Sequence, residues 1–466
     1  MSAHWTMPGD VAAMCRPLIE AVLAVALVAV VVLSRRSSAR ETHKRGARML
    51  DGRTAQRRTA RKQLLRPDPL LTIAGVGIAL GDEVKHFKLI GTTGTGKSTA
   101  IRELLAAAIN RGDRAVITDP DGGYLARFHD AGRGDVILNP FDSRSVQWDP
   151  FAEVHEAYDA EQLASSLIPS TEDASGREWR GYARTFLAAL IRRSHETGRQ
   201  DAAELWRLIA IAPSAELRPM VTGTPAQPFL EPENARMFGS IRSVAGSAAA
   251  ALEHVQAQRA RSFSVRAWIE TGQGTLFLPY QASQIAALRT IIATWVRLAI
   301  FEVMCHEGGR RLWLIVDELD ALGAIDGLKD ALARLRKYGG RCVLGFQSIA
   351  QVSSCYGVSE AQTIVENCAN TLILRCSASE HGGTSQFASR LIGEREVARR
   401  TTSRGREGGG FLGGRGRHRS MNVSEQRVTE AAVLASELEQ LPDLTGYLKT
   451  ASVPAWLRVR LRPEGT

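Results

Sequence analysis

The feature that most limits what this chain can become is Gly91-Thr92-Thr93-Gly94-Thr95-Gly96-Lys97-Ser98, an instance of G-x-x-x-x-G-K-[ST]. A triphosphate is held by several backbone N–H groups aimed inward, and glycines let the backbone come that close. Lys97 is expected on the β- and γ-phosphates as a point charge, and Ser98 on Mg²⁺. Val84 to Ile90 reads as a strand before the loop, and Thr99 to Asn110 as a helix whose N-terminus faces the anion. Strand, loop and helix in register favour a nucleotide site over a chance Gly/Thr-rich turn. The expected ATP-binding residues are Gly91, Thr92, Thr93, Gly94, Thr95, Gly96, Lys97, Ser98 and Thr99.

A P-loop needs acidic partners, and Leu312-Trp313-Leu314-Ile315-Val316-Asp317-Glu318 supplies them. Five consecutive apolar residues make a strand buried on both faces, which delivers Asp317 to the carboxyl edge of a sheet. Asp317 would hold Mg²⁺, directly or through water, and Glu318 would act as general base on the attacking water. Such a strand is a weak signal alone and a strong one beside a P-loop. Arg114 to Thr118, Asp135 to Asn139, Gly274 to Pro279 and Arg341 to Phe346 read as further strands alternating with helices, so a mostly parallel α/β sheet is expected. Gln347, at the end of one of these strands, is placed to orient water or report the γ-phosphate, or else to bond a loop. Asp119 and Asp121 end another, as ligand-edge carboxylates or as turn residues. Between Pro150 and Arg266 the strand signal fades, and Trp179, Tyr182, Phe186 and Leu190 recur at helical spacing. That stretch is expected to be an inserted all-α domain, its aromatics serving as core rather than as base-stacking platforms.

The net charge of +10 suggests a nucleic-acid partner until its location is examined. Residues 34–66 hold twelve Arg or Lys against Glu41 and Asp51, which alone accounts for that net charge. Residues 399–419 hold seven more Arg against Glu407, so the rest of the body is acidic and any nucleic-acid site there must be a local channel. Ala21 to Leu33 is unbroken apolar sequence, and the positives follow it, starting at Arg35-Arg36. This is a stop-transfer pattern rather than that of a cleaved leader. It predicts a transmembrane helix within residues 1–34, the bulk of the chain being cytoplasmic. An interfacial helix is the other reading. Residues 35–69 then form a basic linker or juxtamembrane helix against anionic membrane lipid, with a DNA-binding arm as the rival. The P-loop domain is expected over 70–149 and 267–466, with a flexible Gly/Arg loop at 402–420 that could contact nucleic acid. The six cysteines show neither C-x-x-C spacing nor a Cys/His cluster, so reduced buried thiols are expected.

With these landmarks placed, the chain resembles the coupling proteins of type IV secretion and conjugation systems, the TraD/TraG class of membrane-anchored ATPases. The resemblance is carried by the P-loop and by Val116 to Pro120, Ile137 to Asp142, Leu314 to Glu318, Gly345 to Ser348 and Leu441 to Tyr447. It implies a RecA-like hexameric motor in the bacterial inner membrane. Such a motor couples hydrolysis of ATP with Mg²⁺ to transfer of single-stranded DNA from a relaxase complex to the secretion channel. It also matches Gln347 to the glutamine after the next strand, and Arg336 to an arginine reaching a neighbour's nucleotide in trans, the rival reading of Arg336 being a surface helix charge. One membrane span is expected here where that family usually has two. A nucleotide-switched docking platform and an FtsK-like duplex-DNA pump are the competing functions. Glu318 weighs against the first, and the inserted all-α unit weighs against the second.

Overall fold

The computed structural model describes residues 41–65, 69–170, 174–305, 311–379, 382–406 and 419–463. The chain divides into two units. The smaller comprises residues 41–48 and 393–432 and is an antiparallel sheet. Glu394–Arg406 pairs along its whole length with Arg419–Ala431, and Glu41–Gly46 pairs with Glu394–Arg406. Residues 402–406 and 419–420 are therefore strand, where the Gly/Arg composition predicted a flexible loop over 402–420. The ladder bonds backbone groups whatever the side chains are, so composition was a poor guide. Residues 407–418 lie outside the described residues.

The larger unit is built on a ten-stranded sheet. Its strands in chain order are β1 (Met49–Asp51), β2 (Phe87–Ile90), β3 (Arg114–Pro120), β4 (Val136–Ile137) and β5 (Thr275–Tyr280), then β6 (Leu312–Val316), β7 (Gly340–Phe346), β8 (Asn370–Ile373), β9 (Thr445–Lys449) and β10 (Trp456–Arg460). In space they run β1-β10-β9-β8-β2-β7-β6-β3-β5-β4. Every neighbouring pair is parallel except the two that β9 makes, with β8 and with β10. Every residue of β2, β6 and β7 is buried, as expected of strands covered on both faces. Helices α1 (Arg53–Gln63), α2 (Lys97–Asn110) and α3 (Gly123–Phe128) precede the insertion. On one face Ile101, Leu104 and Leu105 of α2 pack with Phe87, Ile117 and Trp313 of the sheet in one apolar core.

The sheet is interrupted between β4 and β5. Gln147–Trp148 pairs with Ser262–Phe263, and between these short strands lie six α-helices from Ala157–Leu167 to Ala251–Gln256. Phe186 and Leu190 are fully buried there and Phe186 meets Phe238 edge-on, whereas Trp179 and Tyr182 are only half-buried. Glu153 anchors the base of this helical region, accepting from Trp148 Nε1 (2.9 Å) and from the backbone N–H groups of Val265 (2.7 Å) and Arg266 (3.0 Å).

Folded structure of the larger unit starts at Met49, well before residue 70, where the linker was expected to end. β1 pairs with β10, the Gly52 N–H donates to the Arg458 carbonyl at 2.9 Å, and a Cβ on Gly52 would stand 2.7 Å from that oxygen. α1 is pinned by Gln56 Nε2 donating to the Ala74 carbonyl (2.7 Å) and by the Gly77 N–H donating to Thr59 Oγ1 (2.8 Å). A three-residue strand has no period to read, and the arginines of α1 mask a helix that packs through Ala55 and Thr59. The expected transmembrane segment lies outside the described residues. Among the described ones, no helix is long and apolar enough to cross a membrane.

Candidate nucleotide site

β2 runs straight into the glycine-rich loop, and α2 begins at Lys97 rather than at Thr99. The N–H groups of Lys97, Ser98 and Thr99 are therefore in the first turn, where no helical carbonyl can take them. Gly96 sits at φ +115°, and a Cβ there would come within 2.9 Å of both Leu444 and Leu461. Gly94 has φ +76° with open space beside it. Thr95 Oγ1 closes the loop onto the Thr92 carbonyl at 2.7 Å. Lys97 is 7% exposed and its Nζ donates to the carbonyls of Gly91 (2.7 Å) and Thr92 (3.3 Å). Burial pulls its pKa down while Asp317 and Glu318 push it back up.

β7 lies between the P-loop strand β2 and the acidic strand β6, and all three are parallel, so their carboxyl ends share one edge. That edge collects the expected residues into a hydrogen-bonded set. Ser98 Oγ donates to Asp317 Oδ2 at 2.7 Å. Gln347, from the end of β7, donates through Nε2 to Glu318 Oε1 (3.1 Å) and accepts from Thr93 Oγ1 (2.8 Å). The amide thus spans from loop to acid. Burial, then the neighbouring Asp317 and Asp320, hold the Glu318 carboxyl above its usual pKa, which suits a proton acceptor. Asp317 is 3% exposed, and its Oδ1 has no hydrogen-bond partner among the described residues. A buried carboxylate oxygen left open beside a serine hydroxyl fits a divalent cation with oxygen ligands, so Ser98 and Asp317 are suited to hold Mg²⁺.

Further residues support this edge, and of these Tyr124 has no local sequence signal. Tyr124 is 2% exposed and its hydroxyl donates to Asp317 Oδ2 at 2.7 Å. Asp119 is fully buried and starts α3 by accepting from the N–H groups of Tyr124 (3.0 Å) and Leu125 (2.6 Å). Burial raises its pKa to about 6. It is a capping carboxylate that aims Tyr124, while Asp121 is exposed at φ +60°. Gly345 leaves room for Asp317, whose carbonyl oxygen would be 2.3 Å from a Cβ there. The Leu441 to Tyr447 stretch braces the loop from behind, with the Leu444 N–H donating to the Thr95 carbonyl at 3.0 Å. Leu444 sits at φ +60°, which a bulky non-glycine keeps only where its surroundings hold it, and Leu441 to Tyr447 is one of the motifs that carry the family resemblance. Arg336 stands apart. It is exposed just before the amino end of β7, and the strand's seven residues at about 3.3 Å each put it some 23 Å from Gln347.

The family described as the type IV secretion-system coupling protein DNA-binding domain matches residues 70–462. The chain belongs to that family. Coupling protein TraD of Escherichia coli (strain K12) is 28% identical over 412 residues, covering 85% of this chain and 56% of TraD. Conjugal transfer protein TraG of Escherichia coli is 24% identical over 377 residues, covering 71% of this chain and 58% of TraG. The chain thus spans a little over half the length of these curated relatives. Among solved structures, the unbound conjugative coupling protein TrwBΔN70 superposes with a TM-score of 0.79 at 32% identity, covering 90% of this chain and 94% of that one. The same protein with ADP and Mg²⁺ gives 0.77, and with a non-hydrolysable ATP analogue 0.78. With the parallel sheet, this establishes a RecA-like α/β fold for this coupling protein.

Proposed function

We propose that this coupling protein is a membrane-tethered ATPase that links a relaxase–DNA complex to a type IV secretion channel and drives transfer of single-stranded DNA. The observation that carries the reading is the continuous set Thr93–Gln347–Glu318 beside Ser98–Asp317, assembled on one sheet edge with Asp317 Oδ1 open. The complexes of TrwB with ADP and Mg²⁺ and with ATP and GTP analogues support it. When bound, ATP with Mg²⁺ supplies an electrophilic phosphorus whose charge the metal shares. The loop N–H groups and Lys97 bind and orient the phosphates. Ser98 and Asp317 hold the metal. Glu318, turned by Gln347, takes the proton of the attacking water.

Arg336 lies too far from its own chain's loop to reach it, so the nucleotide it would act on is one held by an adjacent copy. That reading calls for a ring, a hexamer, in which hydrolysis depends on assembly. The hydrophobic segment before residue 35 anchors the ring in the inner membrane. The deciding measurement is the ATPase rate of the purified full chain with and without single-stranded DNA. Stimulation is expected; a rate indifferent to DNA would favour a docking platform in its place.

A further inference from the structure

The amino edge of the larger unit, remote from the nucleotide, holds a cavity of about 620 Å³. That volume lies within the range of small-ligand sites, about 300–1,000 Å³. Its interior is mostly apolar, with Leu71, Val76 and Ile78 buried on its wall, and the buried Glu83 there is already bonded to Arg111 and Arg341. Its rim is not. Arg58 and Lys62 of α1 are exposed, and Arg311 is half-exposed with one donor at 3.4 Å from Asp113. The rim's acid, Asp51, is turned to α1, accepting the Arg53 N–H at 2.9 Å.

Exposed leucines cluster at the same place. Leu50 and Leu80 line the cavity at 53% and 58% exposure, and Leu64 and Leu65 leave α1 at 86% and 85%. Scattered surface leucines are ordinary, but two that line one opening, with two more just past Lys62 at the end of the helix that also lines it, mark a surface that expects apolar contact. α1 itself carries Arg53, Arg57, Arg58, Arg61 and Lys62 and no acid. A second copy of this face would be repelled. A nucleic acid would satisfy the cations and leave the leucines in water. A bilayer surface answers both, with phosphates at headgroup level and hydrocarbon beneath. The apolar run ends at Leu33, sixteen residues before Met49, a reach of at most about 55 Å.

We propose that this cavity binds an anionic glycerophospholipid, with Arg58, Lys62 and Arg311 receiving the phosphate, an acyl chain entering against Leu71, Val76 and Ile78, and Leu64 and Leu65 at the acyl–headgroup boundary. The inference rests on the membrane-tethered reading and assigns the tether a specific lipid. It also sets the amino edge of the sheet toward the bilayer and leaves the nucleotide edge to the cytoplasm.

The test uses the full chain in a non-ionic detergent, with phosphatidylglycerol or phosphatidylcholine added and retained lipid counted by native mass spectrometry. One phosphatidylglycerol per chain is expected to survive, with no matching phosphatidylcholine. Arg58→Gln/Lys62→Gln should weaken its retention about tenfold or more, and Thr54→Trp, a bulky residue at the cavity wall, should reduce it independently. Equal retention of the two lipids, unchanged retention in both variants, or displacement by excess inorganic phosphate would overturn the proposal. Alkaline carbonate extraction of the same variants reads the tether separately: release of the wild-type chain refutes the anchor, whereas variants that stay embedded yet lose the lipid support the site.

Discussion

The two edges of the central sheet carry buried charge in opposite ways. At the amino edge, Glu83 is 1% exposed and accepts both Arg111 nitrogens (2.8 and 2.9 Å) and Arg341 Nε (3.0 Å). Asp113 beside it takes Trp313 Nε1 at 3.0 Å, Arg111 and Arg311. Every oxygen in that cluster is used. At the carboxyl edge, Asp317 Oδ1, Asp320 Oδ1 and the Tyr280 hydroxyl are buried with no partner among the described residues. A closed carboxylate network holds the fold, while an open carboxylate oxygen beside a phosphate-binding loop is a place for a cation. Charge density alone would not have told them apart.

The largest expected effect comes from opening the closed edge. Glu83→Ala leaves Arg341 without its carboxylate and should cost about 3–5 kcal/mol of stability, read as a lower urea midpoint. Nucleotide affinity of the folded fraction should be unchanged. If affinity fell in step with stability, the edges would not be separable in the way the hydrogen bonds indicate. Lys97→Ala makes the reciprocal cut. It should lower ATP turnover by about 10²–10³-fold or more and abolish transfer, with the urea midpoint held, because Lys97 bonds only two carbonyls of its own loop. Wild-type transfer frequency in that variant would end the motor reading.

The carboxyl edge was more legible in the sequence than the amino edge, for a physical reason. Phosphate and metal chemistry demand fixed residue types at fixed spacing, so Gly91 to Ser98 and Asp317-Glu318 could be read from order alone. Glu83, Arg111, Asp113 and Arg341 meet only through folding across long separations, and no local pattern marks them. The same limit hid the insertion of β7 between β2 and β6, which is what carries Gln347 to Glu318. β1 escaped because three residues have no period, and 402–406 because composition spoke for disorder where the ladder had the last word. Asp119 reads in the sequence as ligand or turn residue; its two backbone bonds make it a cap.

A smaller effect distinguishes the edges by pH. His86 is buried beside β7, with Nδ1 accepting from the Cys342 N–H at 3.1 Å, so Nε2 donates to the Leu332 carbonyl at 2.9 Å. Burial pushes its pKa from 6.5 down to about 4. Below pH 6.5 the unfolded imidazole takes a proton that the folded one refuses, so its contribution is whole above pH 6.5 and is lost as pH falls toward 4. Asp119, raised from 3.8 to about 6, works in the opposite direction: the folded state binds the proton first, and that contribution is lost as pH rises through 6. Comparing wild type with His86→Asn at each pH removes the Asp119 share. The stability difference should shrink by about 2–3 kcal/mol between pH 6.5 and 4; a flat difference would mean that His86 is not held neutral.

The finest cut falls inside the open edge itself. Tyr124 acts on Asp317 Oδ2, the oxygen that Ser98 also uses, with its hydroxyl beside that serine, and so fixes which way Oδ1 faces. Tyr124→Phe keeps the ring against Arg102 and removes one hydrogen bond to a carboxylate. A bond of this kind contributes about 1.5–3 kcal/mol at most, and part of it is recovered by Ser98. Metal-dependent nucleotide affinity should therefore weaken about 3–10-fold, while affinity measured in excess chelator and the urea midpoint stay close to wild type. A merely structural tyrosine would lower both affinities together with stability. A change confined to the metal-dependent part marks the hydroxyl as the group that orients the open carboxylate.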